Sequence, residues 1–347
     1  MPARSSPGNP QDYPFPLAHW ILSHAGLRHD LAQSGMKGVL LRTETALRKP
    51  VEGDAHDLRA SLAKLHGTAS RNVFLTHGAT EGNALVLLFL ARSLSRSLGR
   101  VPRVHLFSPE YPPLRDMALW AGARPVRAQE RQDLTVLSNP NNPHGTFRSS
   151  NEMQELLSRR VPVLVDETFR EFTERPTLAG KGHRDLWVTG TFTKVYGGDS
   201  IRVGYVVAPP GEESSFGALQ GLLLDTLPSA SVMSALALLR DRSVILRESR
   251  ELFRRNERIL HRHLGGFPRL FAPVAFDRGL SGLPGDLLAH QAAARSVLVC
   301  PGSYFGDPSG VRLCLTRRTF ARDLEAYIQV RDALLAGPRH RPSAAAT

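Results

Sequence analysis

The sequence predicts an α/β fold: a largely parallel sheet covered by helices, followed by a smaller α+β part. Between residues 72 and 208, short apolar runs alternate with segments of helical length. Such alternation is typical of βαβ units, whose crossover helices cover both faces of a parallel sheet. After residue 228 the pattern changes to a long helical stretch followed by short strand candidates and a final helix. The chain therefore has two parts of different architecture.

The first part contains six strand candidates and three helix candidates. The strands are NVFLTHG (72–78), RVHLFS (103–108), LTVLSN (134–139), VPVLVDE (161–167), LWVTGTF (186–192) and RVGYVVA (202–208). Helices are expected over 80–94, 112–123 and 151–159, because these segments have helical length and end in polar or turn residues.

The second part begins with helix over 229–264, interrupted near 241–243, and ends with an amphipathic helix over 321–337. Strands are expected over 268–276, 296–300 and 311–315 between them. We therefore expect an N-terminal segment (1–50) that packs on the small domain or a partner subunit, a large domain (51–228), a small domain (229–337) and a disordered tail (338–347).

Composition argues against several classes of protein. The net charge is +12, but only five of the 44 basic residues are lysines, and the arginines are spread along the chain without a basic tail or aromatic RNA-binding motif. This distribution favours a compositional bias over nucleic-acid binding. No apolar run is long enough to span a membrane. The two cysteines form neither a metal-ligand pattern nor a disulfide framework, so we expect a cytoplasmic protein without a metal.

Two glycine- and proline-containing turns follow strand candidates. In THGATEGN (76–83), backbone N–H groups at a helix start, together with the Thr80 hydroxyl, could bind a phosphate; an ordinary turn with Thr80 as helix cap is the alternative. In LSNPNNPHGT (137–146), two Asn-Pro steps fix a rigid turn that can direct the Asn142 amide into a cleft, or that serves structure alone.

Two further segments place ionisable residues beside strands. Asp166 ends the buried strand of VLVDETFREF (163–172), where a carboxylate is costly unless a cation or strong donor meets it; a helix cap is the alternative. Lys194 lies among small hydroxylated residues in TGTFTKVYGGDSIRVGY (189–205), eight residues before Arg202. The alternative there is a surface lysine on a turn.

Together the four segments predict a site for an aldehyde cofactor that carries a phosphate and a pyridine ring. A lysine can form a Schiff base with the aldehyde, and a carboxylate can keep the ring nitrogen protonated so that the ring accepts electrons. Hydroxyls, backbone donors and an arginine can bind the phosphate.

The order and spacing of these segments resemble the fold-type I pyridoxal-phosphate enzymes of the class I/II aminotransferase group, which includes the histidinol-phosphate aminotransferases. NPNNPHGT is similar to that family's Asn-Pro-x-x-Pro-x-Gly signature, and TFTK resembles its hydroxyl-x-hydroxyl-Lys motif. The resemblance extends from about residue 54 to 335 and implies the PLP-transferase fold.

The resemblance also implies roles for individual residues. SPEYPPL (108–114) resembles the segment that places an aromatic ring over the cofactor, and GVRLCL (310–315) resembles the strand whose arginine holds a substrate carboxylate. The implied catalytic residues are Lys194 and Asp166, the implied cofactor contacts are Ala79, Thr80, Tyr111, Asn142, Asp166, Thr191, Thr193, Lys194 and Arg202, and the implied substrate contact is Arg312.

Two positions depart from the family pattern. Phe169 stands where the family usually has a tyrosine three residues after the aspartate. The cofactor ring oxygen therefore loses one donor, which should raise the pKa of the Schiff base. Lys49-Pro50 stands where a Tyr-Pro pair is expected to reach the phosphate in a partner subunit. Lys49 either replaces that contact as a cation or leaves it unmade.

The resemblance implies a pyridoxal-phosphate-dependent aminotransferase that moves the amino group of an α-amino acid, or of a phosphorylated relative, to a 2-oxo acid through a Lys194 Schiff base. It also implies a homodimer. A decarboxylase or lyase of the threonine-phosphate decarboxylase type remains open, because it would use the same cofactor residues. A non-catalytic or DNA-binding protein that keeps the fold as a sensor is the third hypothesis, and we disfavour it because the sequence shows no room for an additional helix-turn-helix domain.

Overall fold

The computed structural model describes residues 16–36, 53–224 and 226–336. Its helices and strands follow one another along the chain in mostly alternating order. In chain order they are α1 (Pro16–Ser23), β1 (His29–Asp30), α2 (Asp54–His66), β2 (Val73–Thr76), α3 (Ala79–Leu98), β3 (Arg103–Leu106), α4 (Pro112–Trp120), β4 (Arg124–Val126), β5 (Leu134–Ser138), α5 (Ser150–Ser158), β6 (Val163–Asp166), β7 (Leu186–Thr191), β8 (Gly204–Val207), α6 (Glu213–Leu223), α7 (Ser229–Arg240), α8 (Arg242–His263), β9 (Val274–Asp277), α9 (Gly285–Ala294), β10 (Val297–Leu298), β11 (Cys300–Pro301), β12 (Val311–Cys314) and α10 (Phe320–Ala336).

Seven strands form one sheet in the order β2-β8-β7-β6-β5-β3-β4. The pairs from β4 through β7 are all parallel, and β8 runs antiparallel to both of its neighbours, β7 and β2. The predicted largely parallel sheet is therefore confirmed. In the register of the three central strands, Ser138 lies opposite Asp166, and Asp166 lies opposite Thr189. The carboxyl ends of β5, β6 and β7 thus meet at one edge of the sheet.

Apolar side chains cover the sheet on both faces. In β7, Trp187 packs into one core cluster together with α3 and α6, whereas its neighbours Leu186 and Val188 pack into the other. The same alternation occurs in β6, because side chains along a strand point to opposite faces in turn. Every residue of β5, β6, β7 and β8 is buried. This explains why these strands are continuous apolar runs rather than alternating ones.

The second part of the chain has its own small antiparallel sheet, in the order β11-β12-β9. The predicted break in the long helix is confirmed: α7 ends at Arg240 and α8 starts at Arg242. The strand predicted over 268–276 was too long, because β9 begins only at Val274. Pro268 and Pro273 lack the N–H that a ladder needs, and the Phe271 N–H instead donates to the Gly145 carbonyl at 2.6 Å.

A short parallel pair joins the start of the described chain to its second part. β1 pairs with β10, so that residues 31–36 continue alongside the small sheet and toward Lys194, where Met36 N donates to Lys194 O at 3.2 Å. The domain boundaries at residues 50, 228 and 337 stay a proposal. Residues 1–15 and 37–50 of the N-terminal segment, and the whole predicted tail, lie outside the described residues.

None of the helices among the described residues combines the length and apolar character needed to cross a membrane. The same residues contain no group of three or more His, Cys, Asp or Glu side chains placed to hold a metal ion.

Candidate active site

A cleft of about 900 Å³ opens at the carboxyl edge of the parallel strands. Open α/β sheets bind their ligands at this edge. All ten of the site residues predicted from sequence line this one cleft: Ala79, Thr80, Tyr111, Asn142, Asp166, Thr191, Thr193, Lys194, Arg202 and Arg312. They come from positions as far apart as 79 and 312, so the fold brings together what the sequence keeps separate.

Asp166, at the end of β6, is held by two donors. The Thr168 N–H donates to Asp166 Oδ1 at 2.8 Å, and Asn83 Nδ2 donates to Oδ2 at 2.8 Å. Asn83 is in turn fixed by the Thr189 hydroxyl, which donates to Asn83 Oδ1 at 2.6 Å. Burial raises the pKa of Asp166, although these hydrogen bonds oppose the rise. The charge of Lys194 opposes the rise as well, so the carboxylate is oriented by its donors and has one cationic side chain nearby.

Lys194 follows β7 by three residues and is partly buried in the wall of the cleft. Burial lowers the pKa of its ammonium group, and the charge of Arg312 acts in the same direction while that of Asp199 opposes it. A lysine in such surroundings gives up its proton more readily than a surface lysine, which an amine nucleophile or base requires.

The N-terminus of α3 forms one end of the cleft. The helix begins at Ala79 without a side-chain cap, and the first N–H groups of a helix have no intrahelical acceptor. The Thr191 hydroxyl and the Arg202 guanidinium lie close by, because a Cβ built on Gly78 would be 3.9 Å from Thr191 Oγ1 and 3.3 Å from Arg202 Nη2. Helix N–H groups, a hydroxyl and a guanidinium are the donors that a phosphate needs.

Two glycines allow this end of the cleft to close up. Gly78 has φ 85°, a left-handed conformation that glycine adopts without steric cost. Gly204 starts β8 directly behind it, and a Cβ there would be 2.6 Å from Gly78 Cα and 2.7 Å from Ala79 N. No side chain larger than hydrogen fits at position 204 without moving the start of α3.

Arg312, in β12, forms the opposite wall and is almost fully buried. Its Nη1 donates to Asn142 Oδ1 at 3.1 Å and its Nη2 donates to the Ala32 carbonyl at 2.6 Å. Its Nε is buried without a hydrogen-bond partner among the described residues. Because Arg312 engages the oxygen of the Asn142 amide, the Nδ2 group is left to donate toward the cleft.

Sequence reasoning missed a buried carboxyl group beneath the site. Glu110 accepts hydrogen bonds from the Tyr111 N–H at 2.7 Å, from the Ser138 N–H at 2.8 Å and from the Ser138 hydroxyl. That hydroxyl also accepts from the Asn142 N–H at 3.0 Å. Burial raises the pKa of Glu110 to about 8, and the charge of Asp166 adds to the rise. Glu110 thus connects two of the predicted cofactor contacts, Tyr111 and Asn142.

The N-terminal part of the chain closes the cleft on another side. Leu17, Ile21, Leu22 and Met36 line it alongside the polar residues. From sequence this segment was expected to pack on the small domain or a partner subunit, and in the structure it contacts residues almost 300 positions away. Cys314 N, for example, donates to Leu31 O at 2.7 Å.

The two departures from the family pattern have different outcomes. Phe169 lines the cleft and is 3 % exposed, so its ring packs into the core where a hydroxyl would otherwise be available. Lys49 lies outside the described residues.

Burial raises the pKa of Tyr111, the predicted ring-stacking residue, to about 12, which keeps its phenol neutral.

The comparisons with known proteins agree with this geometry. Residues 44–324 match the family model of aminotransferase class I and II. The chain belongs to this family. The chain is 26% identical over 286 residues to histidinol-phosphate aminotransferase 2 of Carboxydothermus hydrogenoformans, a match that covers 76% of this chain and 77% of the relative.

Solved structures of this aminotransferase fold superpose over most of the chain. A PLP-dependent aminotransferase from Streptococcus suis is similar with a TM-score of 0.80 at 20% identity, covering 92% of this chain and 97% of that one. The L-threonine-O-3-phosphate decarboxylase from Porphyromonas gingivalis is similar with a TM-score of 0.68 at 19% identity, covering 88% and 99%. At these identities the likeness shows the PLP-transferase fold, including the predicted large sheet with its smaller C-terminal part.

The enzyme is a pyridoxal-phosphate-dependent aminotransferase, and its cleft fits that cofactor. The uncapped start of α3 and the close approach of Gly204 provide a place for a phosphate, where a Cβ at Gly204 would disturb the backbone. At the sheet edge, Asp166 is a buried carboxylate held by two hydrogen-bond donors, and the charge of Lys194 favours its ionised form. Lys194 is a partly buried amine within the same cleft.

Proposed function

We propose that the enzyme transfers the amino group of an α-amino acid to a 2-oxo acid, with Lys194 as the residue that joins the cofactor and moves the proton. The observation that carries this proposal is the convergence of Lys194, Asp166 and Arg312 on one cleft. They are an amine, a carboxylate and a guanidinium, which the reaction needs for proton transfer, for ring charge and for substrate carboxylate binding.

Each group has a defined task in this proposal. Pyridoxal phosphate, when bound, supplies a protonated pyridine ring that accepts the electron pair released at the substrate α-carbon. Asp166 would accept a hydrogen bond from the ring N–H, and the amide of Asn142 would donate to the ring oxygen. Lys194 Nζ would take up the α-proton of the substrate as general base and release it again as the acid.

The remaining contacts position the cofactor and the substrate. Tyr111 covers the ring. The phosphate is bound at the start of α3 and beside it, by Ala79, Thr80, Thr191, Thr193 and Arg202. Arg312 binds the substrate carboxylate through its unpartnered Nε and the rest of its planar fork, because a guanidinium matches a carboxylate in a bidentate way.

The cleft wall indicates which amino acids to test first. Leu17, Ile21 and Met36 give it an apolar side, which favours a substrate with an apolar side chain. The similarity to a histidinol-phosphate aminotransferase supports a phosphorylated donor as well. A panel of leucine, phenylalanine, histidinol phosphate and threonine phosphate, each with 2-oxoglutarate, separates these classes by the rate of glutamate formation.

The same panel distinguishes amino transfer from decarboxylation. The aminotransferase produces glutamate and a carbonyl product from the donor without releasing carbon dioxide. Carbon dioxide release without glutamate would reject the proposal in favour of a decarboxylase. Lys194→Ala should abolish turnover and the visible absorbance of the bound cofactor, whereas Lys181→Ala, at an exposed lysine, should change neither. Near-normal turnover of Lys194→Ala would remove Lys194 from its assigned role.

The proposal includes a cytoplasmic homodimer. Leu222 and Leu223, at the end of α6, are 84% and 52% exposed, and a neighbouring subunit would remove such apolar side chains from water. The two buried cysteines are unpaired, which suits a reducing compartment. Sedimentation velocity should give twice the chain mass of 38.1 kDa, and a monomer at micromolar concentration would contradict the dimer.

A further inference from the structure

A second concave site lies apart from the active cleft and shares none of its lining residues. It has a volume of about 660 Å³, within the range of small-molecule pockets. We call it the arginine cleft after its five arginines, Arg175, Arg250, Arg254, Arg258 and Arg269. Two glutamates, Glu174 and Glu251, also line it, which leaves an excess of positive charge.

Three of the arginines project from one face of α8, because residues 250, 254 and 258 are spaced by four. Arg250 Nε donates to the Glu171 carbonyl at 2.9 Å and its Nη2 donates to the Thr173 carbonyl at 2.6 Å. Arg254 Nη1 donates to the Leu270 carbonyl at 3.0 Å and to Glu257 Oε2 at 2.7 Å. Two guanidinium groups are therefore held in place by the segments on either side of the cleft.

The other two arginines lie over an aromatic ring. The guanidinium carbons of Arg175 and Arg269 lie 5.8 Å and 5.4 Å from the centroid of the Phe271 ring. Both arginines are exposed, and no hydrogen bond or ion pair of either side chain is found among the described residues. Their N–H donors are thus available to a ligand while cation–π contacts limit their motion.

The cleft concentrates positive charge that its own residues do not neutralise. Like charges spaced by four on a helix repel one another. Burial lowers the pKa of Arg250; the charges of Arg242 and Arg170 add to this effect, and those of Glu171 and Glu174 oppose it. Arg254 alone of the three on α8 has a close carboxylate partner among the described residues, Glu257. An anion bound between α8 and the opposite segments would relieve this repulsion.

We propose that the arginine cleft binds the phosphate chain of a small polyphosphate, such as a nucleoside triphosphate. Several guanidinium groups around one cavity can contact successive phosphates through paired N–H···O bonds. The Phe271 ring and the guanidinium groups of Arg175 and Arg269 near it provide planar groups at the edge of the cleft, on which a base can stack. This site does not depend on the amino donor or on the reaction proposed above.

The position of the cleft connects it to the active site. One wall, Thr173 to Arg175, follows β6 and Asp166 along the chain. The opposite wall, Arg269 to Phe271, leads into β9, where Phe276 pairs with Arg312. A ligand held by both walls would bridge segments that carry opposite sides of the active cleft.

Isothermal titration calorimetry of the pyridoxal-phosphate-loaded enzyme at 150 mM salt tests the proposal, with inorganic triphosphate and ATP as separate probes. We expect saturable binding at one site per chain. Arg175→Gln/Arg269→Gln should weaken it at least tenfold, since two charge-assisted contacts are lost. Arg247→Gln/Arg255→Gln is the matched control, because it removes the same charge from exposed positions of α8 outside the cleft and should leave the affinity within twofold.

Three results would overturn the proposal. They are the absence of saturable binding in the unmodified enzyme, equal weakening by both double variants, and binding that Arg175→Gln/Arg269→Gln leaves unchanged. The second would indicate attraction to net charge alone, and the third would indicate binding in the active cleft. Equal affinity for the two probes supports recognition of the phosphate chain, and tighter ATP binding supports an added contact of its base. Unchanged melting temperatures of the variants without ligand show that folding is not the cause.

Discussion

Replacing Glu110 by glutamine should make the enzyme's stability less dependent on pH. Glu110 has an ordinary pKa of 4.5 that burial raises to about 8 in the folded protein. Below pH 4.5 the carboxyl is neutral in both states and contributes no pH dependence. Between 4.5 and 8 the unfolded chain releases the proton and the folded chain keeps it, so the free energy of unfolding falls as pH rises.

The size of the effect follows from these two values. Between pH 5 and pH 8 the loss of unfolding free energy from this one group is about 3.5 kcal/mol, because each pH unit within the window costs about 1.4 kcal/mol. A chain of 347 residues has an unfolding entropy of about 0.7 kcal/mol/K, so the melting temperature should fall by about 5 °C. Glutamine cannot ionise, so Glu110→Gln removes this part of the decline.

The assay is thermal unfolding, in the absence of added cofactor, of the unmodified protein, Glu110→Gln and the control Glu325→Gln over pH 5 to 8. Glu325 is exposed on α10, and its variant should follow the unmodified protein. The melting temperature of Glu110→Gln relative to the unmodified protein should rise by about 5 °C across this range. Parallel curves for all three proteins would show that Glu110 is not a carboxyl group kept neutral by burial.

Two further substitutions test the support of the cofactor site. Asn83→Ala removes the 2.8 Å hydrogen bond to Asp166. We expect a loss of about 1–3 kcal/mol in the free energy of unfolding and weaker cofactor binding in fluorescence titration. If both values were unchanged, Asn83 would not support Asp166. Gly204→Ala should weaken cofactor binding about tenfold or more, because its Cβ would lie 2.6 Å from Gly78 Cα and would displace the start of α3. A loss of about 1.4 kcal/mol of binding free energy lowers the affinity tenfold. The control Gly221→Ala, where a Cβ meets nothing within 4 Å, should bind normally, and equal affinities of both variants would refute the steric argument.

The sequence predicted those parts of the fold whose pattern is strong and local. The central strands β5 to β8 are buried along their whole length and mostly apolar, and the break between α7 and α8 falls where it was expected. Six elements were not predicted: α1, β1, α2, β4, α6 and α9. β4 has only three residues, is mostly exposed and contains Pro125, so neither alternation nor an apolar run marks it. Its position depends on pairing with β3, a tertiary contact that local sequence does not encode.

The site residues also fall into two groups, those that a local sequence motif marks and those that only tertiary contacts place. Lys194, Asp166 and Asn142 stand in short motifs with unusual residue types, so the sequence could nominate them. Asn83 binds Asp166 from 83 positions away, and Glu110 acts on Asn142 through Ser138, which is 28 positions from Glu110. An asparagine inside a helix has low helix propensity, which is a weak signal for Asn83. Nothing in SPEYPPL indicates that the carboxyl group of Glu110 is buried, because burial depends on β5 packing above it.

The cleft imposes the same environment on two groups that need opposite charge states. Burial raises the pKa of Asp166 and lowers that of Lys194, so burial favours the neutral form of both. For Lys194 this is useful, because only a neutral amine can accept the substrate proton. Asp166 must be ionised to hold a protonated ring nitrogen, and the donors of Thr168 and Asn83 offset only part of the cost of burial.

A protonated Lys194 favours the ionised form of Asp166, but a neutral Lys194 provides no charge, so the positive charge must then come from the ligand. A ligand with a protonated nitrogen therefore binds more tightly when Asp166 is ionised, and its binding lowers the pKa of Asp166 by the same coupling free energy. For Lys194, burial and the cation Arg312 lower the pKa, the charge of Asp199 raises it, and the net shift is downward. One low-dielectric cleft can thus keep its base neutral and its ring partner charged, because the cofactor compensates only one of the two.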